Sequence, residues 1–214
     1  MELLKRIEPE VAQLKKQFPK LFIAEKEKYY CKIKGEIEII DPNDGQIWDA
    51  YSVEIVIKNA YPSEIPVIYE KGDKIKLHKS FDGSCCLAPR VEEYLVLGRD
   101  YNLCDYLNKL VVPYLAAQKL VELGEDWPNG EYSHHGKGII EYYQEKLNTK
   151  DIEIILNCLN ILSGQKKISR NTHCFCGSGK KYKNCHNLIL GNFRLVNRTI
   201  FQRDLMDIKY DVNK

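Results

Sequence analysis

The stretch that most constrains this chain is Ala60–Leu87, AYPSEIPVIYEKGDKIKLHKSFDGSCCL. Pro62 and Pro66 each fix φ and remove a backbone donor, so the passage is rigid, extended and suited to a sheet edge. Val67–Tyr69 reads as a short strand, and Asp82-Gly83 supplies a tight turn just before Cys85-Cys86. A thiol presented past a tight turn, with His78 nearby in sequence, is a candidate nucleophile. Neighbouring side chains on extended backbone point to opposite sides. Leu87 shares a side with Cys85, so that side is expected to be packed and Cys86 to face outward.

The series Tyr61-Pro62, Pro66-Val67, His78 and Gly83-Ser84-Cys85-Cys86-Leu87 resembles the core of a ubiquitin-conjugating enzyme. That family reads Tyr-Pro-x-x-x-Pro, strand, His-Pro-Asn, then Gly-x-(Ile/Val)-Cys-Leu. In this register the resemblance implies that Cys86 forms a thioester, with His78 and His135 as the other catalytic candidates. Lys79-Ser80 stands where the family has Pro-Asn, a departure that points to the divergent bacterial branch. Without the Asn, the oxyanion donors would be backbone amides near Cys86, or His135. Trp127-Pro128-Asn129-Gly130-Glu131 with His135-Gly136 is similar to a segment of the bacterial conjugating enzymes of anti-phage operons, which implies a CBASS setting. The implied activity is acyl transfer. Cys86 would take the C-terminus of a protein modifier with a glycine-like tail, supplied by an activating enzyme, and pass it to a target lysine. In such operons the implied modifier is a cGAS-like nucleotidyltransferase. A non-catalytic ubiquitin-conjugating-like binding domain is the competing class, and retention of the cysteine argues against it.

Patterning supports an α+β chain, and the resemblance makes it the ubiquitin-conjugating fold. Leu3, Leu4, Ile7, Val11, Leu14 and Phe18 recur at helical spacing, and Pro19 stops them. Leu21–Ile40 reads as strand-like, Asp41–Gly45 as a hairpin turn and Ile47–Ile57 as the returning strand. Tyr101–Leu123 is an amphipathic helix and Asp151–Leu162 another. Between them Trp127–Tyr143, with three glycines and the pair His134-His135, reads as an ordered, packed loop. The expected division is a catalytic domain over 1–147, a helix and linker over 148–165, and a zinc module with its tail over 166–214. The first domain is expected to stay folded when the chain is cut at about Ser163.

The terminal module carries the most specific motif, His173-Cys174-Phe175-Cys176-Gly177-Ser178-Gly179-Lys180-Lys181-Tyr182-Lys183-Asn184-Cys185-His186. Two cysteines one residue apart, a Gly-Ser-Gly turn and an adjacent Cys-His pair supply the three thiolates and one imidazole that zinc accepts. The string resembles the SEC-C motif, which implies Cys174, Cys176, Cys185 and His186 as ligands, with His173 a rival fourth. Between Ile154 and Arg203 there is no Asp or Glu, whereas Lys166, Lys167, Arg170, Lys180, Lys181, Lys183, Arg194, Arg198 and Arg203 all fall there. Such a basic unit fits nucleic acid or an acidic protein partner, and the sequence does not choose. A whole-chain net charge of +2 argues against a general nucleic-acid binder. The N-terminus lacks a secretory h-region and no apolar run approaches a membrane span, so a cytoplasmic location without membrane contact is expected. The eight cysteines then read as thiols and metal ligands.

Overall fold

The computed structural model describes residues 2–128, 130–133 and 135–212, and the side chains of all of these except Glu2 and Val212. The chain forms two compact units, Met1–Ala88 with Val96–Asn129, and Pro89–Leu95 with Gly130–Lys214.

In the first unit, helix α1 (Glu2–Gln17) buries Leu3, Ile7, Val11 and Leu14, one stripe of a 3.6-residue period. Pro9 lies inside this helix on its exposed side. Strands β1 (Phe22–Lys26), β2 (Tyr30–Ile40), β3 (Ile47–Lys58) and β4 (Val67–Glu70) follow as an antiparallel meander in that spatial order. The strand-like stretch over Leu21–Ile40 is divided into two strands, because the chain reverses at residues 27–29. The Glu27 N–H there donates to the Tyr30 carbonyl at 3.0 Å. Pairing of Cys31 with Ile57, Ile33 with Ile55 and Ile37 with Tyr51 puts alternate side chains in the core. The opposite face is laced with ion pairs, among them Lys34–Glu54 and Lys32–Glu25. Gly35 admits no other residue, because a Cβ there would stand 2.1 Å from the Lys20 carbonyl oxygen.

Helix α2 (Arg90–Leu97), for which the sequence raised no expectation, begins in the second unit and ends in the first. The long helix expected over Tyr101–Leu123 is present as α3 (Leu103–Tyr106), a π turn (Leu107–Val111) and α4 (Val112–Glu122). Asn102 and Asp105 form a reciprocal capping box at its start. The π turn ends two residues before Pro113, whose missing N–H breaks the regular ladder.

The second unit is helical, with α5 (His135–Leu147), α6 (Ile152–Leu162), α7 (His186–Ile189) and α8 (Arg198–Val212). Asp151 caps α6, its carboxylate accepting the Glu153 N–H at 2.9 Å. Tyr142, Tyr143, Ile155, Leu159, Phe193, Phe201 and Leu205 share one core. Asp204 is buried between Arg90 at 2.8 Å and the Tyr143 hydroxyl at 2.8 Å. Three expectations change here. The segment taken as a loop to Tyr143 is helix from His135 onward, and its glycines are points of close approach. A Cβ on Gly138 would stand 1.7 Å from the Ser133 carbonyl oxygen. Residues 198–212, expected as a tail, are a helix that packs on α5 and α6. The compact units change over at 88/89, 95/96 and 129/130, and a cut at Ser163 would strip α8 from the core it shares with α5 and α6.

Among the described residues, no helix is long and apolar enough to cross a membrane.

Candidate functional site

The exposed thiol sits on a hairpin that follows β4. Glu70, at the end of β4, is fully buried and collects the N–H groups of Gly72, Lys74 and Ile75 together with the Lys79 ammonium. Burial alone would push its carboxyl up, but those four donors outweigh burial and hold it below the usual carboxylate range. The loop between β4 and the hairpin is thereby fixed at both ends. Lys79 then pairs with Cys85, the Ser80 N–H donates to the Ser84 carbonyl at 2.8 Å, and the Cys86 N–H donates to the His78 carbonyl at 2.8 Å. Gly83, at φ +81°, lets the turn close, and the Asp82 carboxylate accepts both the N–H and the hydroxyl of Ser84.

Alternation along this arm buries Cys85 and exposes Cys86. Burial pushes the Cys85 thiol up, which disfavours its thiolate. His78 has φ +56°, and its ring stacks on Trp127 with centroids 4.0 Å apart. Its carbonyl accepts the Tyr114 hydroxyl at 2.9 Å as well as the Cys86 N–H, while Gln118 donates to the Leu77 carbonyl at 3.2 Å. Helix α4 therefore clamps the first arm of the hairpin. The Cys86 amide, one of the oxyanion donors expected from the sequence, is committed to His78.

Cys86 and His78 come together in the first unit, whereas His135, the exposed first residue of α5, belongs to the second. His134 lies outside the described residues. Sequence reasoning missed Trp127, Tyr114 and Glu70 as parts of this site. Glu70 had one readable signal, an acidic residue at the end of an otherwise apolar edge strand.

The second site gathers Cys174, Cys176, Cys185 and His186, whose ligand atoms all lie within 4.8 Å of one another. The Cys174 sulfur is 3.2 Å and the Cys185 sulfur 3.4 Å from His186 Nδ1, and the Cys176 and Cys185 sulfurs are 3.6 Å apart. Metal–sulfur bonds of about 2.3 Å and metal–nitrogen bonds of about 2.0 Å place tetrahedral ligands roughly 3.5 Å apart, so the set fits one small cation. A backbone hairpin builds it. The Cys174 N–H donates to the Lys180 carbonyl and the Tyr182 N–H to the Thr172 carbonyl, both at 2.8 Å, with Gly177 and Gly179 at positive φ between them. His173 pairs across to Lys181 and stands outside the cluster.

Burial would raise the Cys176 thiol, but contacts from Ser178, Cys185 and Cys174 outweigh it and bring it to about 7. Burial lowers His186, favouring the neutral ring that a metal takes. Behind the cluster, burial and the charges of Cys174, Cys176 and Cys185 push the Cys158 thiol of α6 up to about 12.

Residues 170–187 match the SEC-C motif. A stretch of 28 residues is 57% identical to the protein translocase subunit SecA of Borreliella burgdorferi (strain ZS7), covering 13% of this chain. SecA of Borreliella afzelii (strain PKo) matches with the same identity over the same length. No solved structure matches the chain. The chain spans about 3% of the length of these SecA relatives.

Proposed function

We propose that this chain is a ubiquitin-conjugating-like acyl transferase in which Cys86 carries the acyl group. The observation that carries it is the hairpin that holds Cys86 at the surface while Cys85, its neighbour, is buried. The order of one helix, a four-stranded antiparallel meander, a cysteine hairpin and a following helix supports a ubiquitin-conjugating fold. The Cys86 thiolate attacks the carbonyl carbon of the modifier's activated C-terminus, the new C–S bond forms, and the activating group departs with the electron pair. A target lysine amine then attacks the thioester. The C–S bond breaks, an isopeptide C–N bond forms, and Cys86 takes a proton back. A free thiol of pKa about 8.5 supplies enough thiolate near neutrality for the first step. His78, stacked on Trp127, positions the hairpin through its carbonyl.

The modifier has a narrow, glycine-like tail, and the setting implied by the resemblance is anti-phage defence with a cGAS-like nucleotidyltransferase as modifier. The second unit holds zinc through Cys174, Cys176, Cys185 and His186, a closed four-ligand site with a folding role.

Tagged protein expressed in its host and run on non-reducing gels tests the proposal. Wild type should show a slower species that thiol reductant removes. Cys86→Ser should convert it to one that survives reductant and yields to mild alkali. Loss of neither species in Cys86→Ala sinks the proposal.

One observation favours a second reading, a nucleic-acid adaptor. Arg170, His173, Lys180 and Lys181 are all exposed on the two arms of the metal hairpin. Binding of nucleic acid that falls steeply with salt, and that Cys86→Ala leaves unchanged, would select it.

A further inference from the structure

His78 is a non-glycine residue in the left-handed region, at φ +56°. Side chains disfavour that region by about tenfold in population, so it persists only where the surroundings hold it. In this conformation the His78 carbonyl oxygen meets two donors at once, the Cys86 N–H at 2.8 Å and the Tyr114 hydroxyl at 2.9 Å.

What holds His78 comes from the far end of α4. That helix closes in a Schellman motif. Gly124, at φ +91°, donates its N–H to the Val121 carbonyl, and Glu125 donates to the Leu120 carbonyl, both at 3.0 Å. The chain reverses there, residues 122–126 stay exposed, and Trp127 turns back to become half-buried. Its ring stacks on the His78 ring with centroids 4.0 Å apart and planes 30° apart. The same indole stands edge-on to the Tyr114 ring, with centroids 6.0 Å apart at 62°. Trp127 therefore meets both the residue whose carbonyl anchors Cys86 and the second donor to that carbonyl.

We infer that Trp127 is a positioning residue for Cys86, holding His78 in the left-handed backbone whose carbonyl anchors the Cys86 amide. The inference rests on the acyl-transfer reading above for its bearing on function. Without the stack, His78 relaxes toward ordinary φ, its carbonyl leaves the Cys86 N–H, and the thiol loses its fixed place. A nucleophile out of place loses rate steeply.

Amide exchange of the isotope-labelled full chain, read by NMR, tests the anchor. Trp127→Leu keeps apolar bulk but has no ring to stack, and it should speed exchange of the Cys86 amide about tenfold. Sheet amides such as those of Ile33 and Ile55 should stay protected. His78→Leu breaks the stack from its other side and should act alike, so the test survives if one variant fails to fold. Trp127→Phe keeps a stacking ring and should exchange as wild type does. In His78→Gly the left-handed backbone is unstrained and no ring is left to stack, so Trp127→Leu should add no further loss. In the host, Trp127→Leu should form the reductant-sensitive adduct about tenfold more slowly, and Trp127→Phe at the wild-type rate. Unchanged exchange in Trp127→Leu and His78→Leu, or an undiminished effect of Trp127→Leu on top of His78→Gly, overturns the inference. So does an adduct that forms at full rate in Trp127→Leu while Cys86→Ala abolishes it, and the acyl-transfer reading then stands. An adduct that persists in Cys86→Ala defeats that reading itself.

Discussion

The backbone N–H of Cys86 donates to the carbonyl oxygen of His78 across 2.8 Å, and that bond sets which thiol meets solvent. A slip of one residue would exchange the faces of Cys85 and Cys86. The Tyr114 hydroxyl reinforces the register by donating to the same oxygen at 2.9 Å from helix α4.

Tyr114→Phe removes only that hydroxyl. The His78 carbonyl keeps its bond from Cys86, so the expected loss is about 1 kcal/mol, read as a lower urea midpoint with an unchanged slope. A neutral substitution would mean that α4 does not clamp the hairpin.

Glu70→Gln tests the anchor at the other end. Its carboxyl is held below the usual range in the folded state, so its stabilisation is complete above that range. It is lost as pH falls through the depressed value. At neutral pH the variant should be less stable by about 2 kcal/mol, since a buried charge with four donors is replaced by an amide that opposes them. The gap should close as the solution is acidified. A gap that stays constant from neutral to acid pH contradicts the assignment.

Gly138→Ala probes the helix that was expected to be a loop. In an open helix alanine would gain about 1 kcal/mol over glycine. Here its Cβ meets the Ser133 carbonyl, so a loss of about 3 kcal/mol is expected in thermal or urea unfolding. Stabilisation would show that the approach is not as close as 1.7 Å.

Much of the fold was legible wherever one local signal dominated. The apolar stripe of α1, the Asp41–Gly45 turn, the Asp151 cap and the four clustered ligands each specify their own neighbourhood. Where local and tertiary signals conflict, the sequence misleads. Gly136 and Gly138 read as loop residues, yet they sit in a helix, at places where a Cβ would strike the Asp207 and Ser133 carbonyl oxygens. The apolar stripe of α8, with Ile200, Phe201, Leu205 and Ile208, is present in the sequence behind a basic approach, and Asn197 caps it by accepting the Thr199 N–H at 3.1 Å. The stacking of His78 on Trp127 left no trace, because it is a contact between distant segments made only on folding.

The metal site carries its own test. Purified full-length chain should contain about one zinc per molecule, since the closed ligand set takes a single ion. Cys185→Ala should lose most of it and lower the stability of the second unit. A wild-type protein without metal, or full zinc in Cys185→Ala, contradicts the ligand assignment.

Assignment of the acylated residue tests the central claim most directly. Peptide mass spectrometry of the reductant-sensitive adduct should place the acyl group on Cys86, with Cys86→Ala abolishing it. Cys85→Ala should cost about 1 kcal/mol of stability and leave the adduct intact, since Cys85 is a small buried side chain. An acyl group mapped to Cys85, or an adduct that survives in Cys86→Ala, would contradict the account.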